Sequence, residues 1–131
     1  MPKTIQQKAT FRVSPDVLFE LYLNSRQHSA ATGAKATMTR KVGGTFGAHG
    51  DHLRGKNLVI VPKRLIVQSW RATNWKKRDL DSVLTLVFSK VRGGGQVAMV
   101  HANVPDAHAA SITRGWKDYY WDRWRAYLRR R

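Results

Sequence analysis

The sequence predicts an α+β fold in which a curved antiparallel β-sheet wraps around one long C-terminal α-helix, with two short helices after the first strand and an internal cavity between sheet and helix. Three observations carry this. Short runs of alternating apolar and polar residues fill the chain from Ala34 to Val104, punctuated by Gly43-Gly44, Gly50-Asp51, Val61-Pro62-Lys63 and Gly93-Gly94-Gly95. Successive strands on such short connections form an antiparallel meander rather than parallel crossover units. The last quarter, Asp106 to Arg131, keeps a helical period and holds three of the five tryptophans and three of the four tyrosines. A single sheet has to cover its apolar face, and this is the only long amphipathic element available to do so.

In chain order, Thr4 to Val13 alternates weakly and ends in Phe11 and Val13, as a first strand would. Ser14 then supplies an N-cap, Pro15 sits where its missing N–H costs nothing, and Asp16 favours the positive end of the helix dipole. Val17, Leu18, Leu21 and Tyr22 form the apolar stripe of this first helix, which runs to about Asn24. A second short helix covers Ser25 to Thr32 and stops at Gly33, a residue suited to a left-handed cap. The expected strands that follow are Ala34–Thr39, Thr45–His49, His52–Val61, Arg64–Ala72, Ser82–Val91 and Val97–Val104. Alternation places Ile66, Gln68 and Trp70 on one face, and Val97, Met99 and His101 on one face, toward the terminal helix.

On that helix, a step of about 100° per residue puts Ile112, Trp116, Tyr119, Tyr120 and Tyr127 on one side with Trp124 at its edge. Lys117, Asp118, Asp122, Arg125 and Arg129 point away, and Trp121 lies on the outer flank. Arg123 falls inside the aromatic stripe, where a charge has to be paired, snorkel to solvent or face a wet cavity.

A chain of 131 residues with 42% hydrophobic content suits a single domain, 1–131. No apolar run approaches the ~20 residues of a membrane span, and the polar start MPKTIQQK lacks the apolar segment of a secretory signal, so a cytoplasmic protein is expected. The absence of cysteine excludes disulfides, thiolate metal sites and a cysteine nucleophile. Twenty-four Lys and Arg against eight Asp and Glu give a net charge of +16. Such a surface attracts nucleic acid or anionic membranes whatever the fold. The cations are nevertheless scattered, with groups only at Lys76-Lys77-Arg78 and Arg129-Arg130-Arg131, so a nucleic-acid partner is the less favoured reading.

Catalytic and metal chemistry find little support. There is no Gly-x-Ser-x-Gly turn, dinucleotide fingerprint or phosphate-binding loop. His49 and His52 sit at a turn without the helical spacing of a zinc hydrolase. The polar groups able to reach the cavity are His28, Gln68, His101, Tyr120 and Arg123. A histidine and a tyrosine or arginine there would suit proton abstraction beside a carbonyl, although a hydrogen-bonded core histidine is the more ordinary role.

One set of residues carries a family resemblance. It comprises Ser14-Pro15, HSAATG at His28–Gly33, Gly43-Gly44-Thr45-Phe46, Gly55, Pro62, IVQSWR at Ile66–Arg71 with Trp75 after it, His101, Val104-Pro105, Gly115-Trp116, Tyr120-Trp121 and Tyr127-Leu128. In this order they resemble the helix-grip superfamily of START-type, birch-pollen-allergen-like (SRPBCC) proteins. Within it, the chain is most similar to the bacterial branch related to the activator of the 90-kDa heat-shock protein ATPase. The resemblance implies a helix-grip fold whose cavity takes a small hydrophobic or amphipathic ligand, with a chaperone-type protein partner or a cyclase-like activity as alternatives, and the basic surface adds a nucleic-acid binder as a further one. Residues expected at that ligand are His28, Phe46, Gln68, Trp70, Trp75, Met99, His101, Trp116, Tyr120 and Arg123, with no cofactor and no metal. The chain departs from its relatives at Lys76–Arg78 and at its arginine-rich end, where they carry more acidic residues.

Overall fold

The computed structural model describes residues 1–130. Strand β1 (Lys3–Phe11) is followed by helices α1 (Pro15–Leu23) and α2 (Ser25–Thr32), then by β2 (Thr45–Ala48), β3 (Leu53–Val61), β4 (Leu65–Ala72), β5 (Ser82–Val91) and β6 (Gly94–Val104). The C-terminal helix is built from α3 (Asp106–Gly115), a π-helical segment (Trp116–Trp121) and α4 (Asp122–Arg130). The six strands form one antiparallel sheet in the order β1-β6-β5-β4-β3-β2, antiparallel as the strand pattern predicts and in the helix-grip arrangement that the resemblance implies. No helix is long and apolar enough to cross a membrane among the described residues.

The helix starts follow the local chemistry. Ser14 caps α1 by accepting the Val17 N–H at 3.4 Å. Asn24 ends α1 and starts α2, its side-chain oxygen accepting the Gln27 N–H at 3.0 Å. Gly33 closes α2 at φ 78°, which glycine adopts without the Cβ clash that other residues meet.

One expected strand is absent. Ala34–Thr39 makes only a single bridge, Thr37 to Gly47, because α2 claims its backbone first. Ser29 Oγ accepts the Ala36 N–H at 2.9 Å and Ser25 Oγ accepts the Met38 N–H at 2.7 Å. Asn57 holds the next stretch, its amide donating to the Thr39 and Lys41 carbonyls at 2.8 and 3.2 Å. With its polar groups satisfied in this way, the segment needs no second strand partner.

Two irregularities curve the sheet. The β1–β6 register shifts between Lys3 and Ile5, opposite Asn103 at φ 61°. The β3–β4 register shifts between Asn57 and Val59. After the second shift the inward phase of β3 changes from Leu53 and Asn57 to Ile60, as an extra residue in one strand requires. Gly55 is needed between them, because a Cβ there would meet the Phe46 ring at 2.7 Å and collide with the Ser69 carbonyl.

The concave face carries Ile66, Gln68 and Trp70 from β4 and Val97, Met99 and His101 from β6, all buried as the alternation predicts. Phe19, Tyr22, Trp116, Tyr120 and Trp124 fill the space between this face and the helices. These side chains occupy the space where the sequence predicts an internal cavity, and the concavity that the structure shows is a cleft open to solvent at one end of the fold.

The C-terminal helix corrects the expected phase. Trp124 is 0% exposed, at the centre of the buried side rather than its edge, and Trp121 is buried; Tyr119, expected inside, is 50% exposed. The Asp122 N–H bonds to the Lys117 carbonyl, five residues back, so this segment holds one residue more than an α-turn. That delay of about 100° rotates everything after it. Trp116 and Trp121 consequently stack at 5.5 Å and 22°, while Arg123 swings out of the stripe to an exposed position.

Candidate functional site

Two neighbouring regions contain the polar residues singled out in the sequence. The first is a closed network. His28 Nδ1 lies 2.7 Å from the Tyr22 carbonyl, which can only accept, so this nitrogen carries the proton. His28 Nε2 then accepts from the Tyr120 hydroxyl at 3.0 Å. His101 has the opposite tautomer. Trp116 Nε1 donates to its Nδ1 at 3.1 Å, leaving Nε2–H to donate to Ser82 Oγ at 2.8 Å, while Ser82 donates to the Trp70 carbonyl at 2.7 Å. Tyr22 donates to Gln68 Oε1 at 2.7 Å, and Gln68 donates to Asn57 Oδ1 at 2.9 Å.

Burial pushes the pKa of His28 down to about 4 and that of His101 down to about 3, because a low-dielectric surrounding disfavours the imidazolium. Each is a neutral ring whose two nitrogens are already engaged. Neither has the exposed lone pair that a general base needs, and the Ser82–His101 pair is sealed under the helix rather than open to a substrate.

The second region is the cleft, about 400 Å³ in volume and within the range of small-molecule sites. Its apolar wall comes from Trp70 on β4, Trp75 in the loop after it, and Ile112, Trp116 and Tyr120 on the C-terminal helix. Its polar rim is His49, His52 and His108, with Tyr119 beside them. His49 stands at the β2–β3 turn with φ 53°, its ring edge-on to Tyr119 at 5.8 Å and to Tyr120 at 5.6 Å. His108 stacks on Trp75 at 6.1 Å and 21°. His52 Nδ1 pairs with Thr73 Oγ1 at 2.9 Å.

Burial lowers the His49 pKa, and the neighbouring His52 and Arg123 lower it further. Both neighbours disfavour a further positive charge at His49. Among the described residues no group of three or more His, Cys, Asp or Glu side chains could hold a metal.

Of the ten residues expected at a ligand, Trp70, Trp75, Trp116 and Tyr120 meet in the cleft. His28, Gln68 and His101 stand behind its wall in the hydrogen-bonded core, and Phe46 and Met99 are buried away from the lining. Arg123 does not face the cleft interior. It donates to the Thr32 carbonyl at 2.7 Å, where a cation complements the negative end of α2, and lies 5.2 Å from the Tyr119 ring centroid. Trp121, placed by the sequence on the outer flank of the helix, is buried and donates to Gln7 Oε1 at 2.7 Å. The rim histidines were not expected at the ligand. The spacing of His49 and His52 marks only a turn, and His108 reaches them through the tertiary fold.

Comparison with known proteins agrees with this architecture. The family model described as Activator of Hsp90 ATPase homolog 1-like protein matches residues 12–129. The activator of 90 kDa heat shock protein ATPase homolog of Dictyostelium discoideum is 32% identical over 123 residues, covering 92% of this chain and 32% of that protein. The human activator homolog 1 is 28% identical over 118 residues, covering 90% and 35%. The chain thus spans about a third of the length of these relatives. The crystal structure of an HSP90 activator from Plasmodium falciparum superposes with a TM-score of 0.88 at 22% identity, covering 95% of both chains. With the fold, the ordered motifs and this match in agreement, the chain belongs to the Activator of Hsp90 ATPase homolog 1-like protein family.

Proposed function

We propose that this chain, acting as one domain over residues 1–131, binds a small hydrophobic or amphipathic molecule in the aromatic cleft without transforming it. One observation carries the reading: an apolar wall of Trp70, Trp75 and Trp116 meets a rim of three histidines in a cleft of about 400 Å³. Burying the ligand's apolar body against the indoles would supply affinity at roughly 25 cal/mol per Å². The rim favours an anionic or hydrogen-bond-accepting end, because its histidines can donate N–H bonds and the Arg123 cation acts on His49. The engaged nitrogens of His28 and His101 support binding over catalysis.

The test uses 8-anilinonaphthalene-1-sulfonate, an aromatic anion, as probe. Ser111 is exposed and lines the cleft, so Ser111→Trp fills the space without touching the core. Its fluorescence titration should show affinity about tenfold weaker than wild type at an unchanged melting temperature. Equal affinity in both proteins would sink the reading.

A second reading comes from the names of the relatives, which are activators of a 90 kDa heat shock protein ATPase. A chaperone-type partner would sit on the convex sheet face, where Val59, Val83, Val87 and Val100 are exposed. Its check is the ATPase rate of such a chaperone with wild-type protein and with Val83→Lys/Val87→Lys. A rate that the wild-type chain leaves unchanged counts against it.

A further inference from the structure

A second concave site lies at the other end of the C-terminal helix. It is about 630 Å³ in volume and is bounded by the end of β1, the β5–β6 turn and the last turns of α4. Among the described residues four arginines line it, Arg12, Arg92, Arg125 and Arg129, and no carboxylate does. Arg125 is already oriented. Its guanidinium lies 4.8 Å from the Phe11 ring centroid, donates to the Thr10 carbonyl at 3.2 Å and reaches Asp122 only at 4.0 Å. Among the described residues, Arg12, Arg92 and Arg129 have no carboxylate within 4.0 Å.

Like charges gathered around one concavity repel each other unless an anion lies between them. The carbonyls of the last described turn of α4 oppose an anion with roughly half a negative charge, which is small against four guanidinium groups. The geometry points to a binding site for a phosphate monoester with an apolar body. Guanidinium forks match phosphate oxygens in bidentate geometry. A monoester carries about 1.5 to 2 negative charges near neutrality, more than a carboxylate or a phosphodiester, and so better balances four cations. The floor of Val13, Val91 and Leu128 gives the organic part of the ligand an apolar surface, and the volume exceeds what phosphate alone would fill. The buried Phe11, covered by Arg125, presents no open ring for stacking successive bases, which disfavours single-stranded nucleic acid as the occupant.

Calorimetry with phenyl phosphate, at constant ionic strength, tests the site. Arg92→Gln/Arg129→Gln changes two exposed residues and should weaken binding at least tenfold. Lys76→Gln/Lys77→Gln, which removes the same charge elsewhere, should leave it within about twofold. Absence of phenyl phosphate binding to wild type, or an equal loss in both variants, overturns the proposal in favour of general basicity. Vesicles containing phosphatidic acid, in a sedimentation arm, distinguish a lipid from a soluble source. Vesicle binding lost only in the arginine variant, together with phenyl phosphate binding, supports the site with a lipid occupant. Phenyl phosphate binding lost in that variant without any vesicle binding supports it with a soluble one. If a single-stranded oligonucleotide depends on Arg92 and Arg129 while phenyl phosphate does not bind, the site is a nucleic-acid contact and the proposal fails.

Discussion

The closed core and the cleft rim are built from the same residue types, yet they differ in what their polar atoms do. In the core, His28 and His101 have both ring nitrogens engaged, and Tyr22, Gln68, Ser82 and Tyr120 complete the chains. At the rim, His49 packs its ring edge-on against two tyrosines, and His108 lies flat on Trp75. Satisfied polar groups inside a low-dielectric core specify a unique packing. Groups with spare hydrogen-bonding capacity at a concave surface are those a ligand can use. A histidine in this fold is therefore structural or functional according to its partners, not its identity.

The most severe way to break the comparison is to remove a core histidine. His101→Ala leaves Trp116 Nε1 without its acceptor, takes from Ser82 Oγ the N–H it accepts and opens a void, which should cost about 3 kcal/mol or more in urea unfolding. His49→Ala at the rim should stay within about 0.5 kcal/mol. Similar losses at the two positions would erase the distinction.

Acid should reveal the same contrast. Both core histidines have folded pKa values below the ordinary 6.5, about 4 for His28 and about 3 for His101. Between those values and 6.5 the unfolded chain binds the extra protons, so their contribution is complete above about pH 6.5 and is lost as the pH falls toward 4 and then 3. At about 1.4 kcal/mol per unit, the full loss is on the order of 3 kcal/mol for His28 and 5 kcal/mol for His101. A urea midpoint that stays flat from pH 7 to pH 4 would contradict the assigned tautomers and their closure.

The smallest effect is expected at the π-helical segment, which presents the aromatic residues to both regions. Deleting the exposed Asp118 removes the extra residue and turns Trp116, Tyr120, Trp121 and Trp124 into an i, i+3, i+4, i+7 series, the stripe of an ordinary α-helix. Thermal unfolding should then change by only about 1 kcal/mol. A collapse of the melting transition would mean that the π geometry itself, not the burial of these rings, holds the helix in place.

Most of the architecture was legible before any coordinates, because strand alternation and helix caps are local. Ser14-Pro15, Asn24 and Gly33 bound the first two helices through their own side chains or backbone freedom, and the period of two in Ile66–Trp70 and Val97–His101 names the inner face directly. The wall of the cleft was legible for a related reason, since Trp70, Trp75, Trp116 and Tyr120 are large apolar groups at the junction of sheet and helix. The strand expected at Ala34–Thr39 failed because Ser25, Ser29 and Asn57 compete for its backbone, and all three lie in other elements, two in α2 and one in β3.

The amino-acid sequence by itself determined the antiparallel sheet, the gripped C-terminal helix and the aromatic composition of their contact, all of which follow from spacing within single elements. Only the tertiary structure decided the helix phase, because one inserted residue in the π-turn rotates Arg123 and Tyr119 outward and Trp121 and Trp124 inward, a rotation that a fixed step of about 100° does not contain. It also decided which histidines are free. His49, His52 and His108 are far apart along the chain or in ordinary turn positions, and they become one rim only when the β2–β3 turn closes against the last helix.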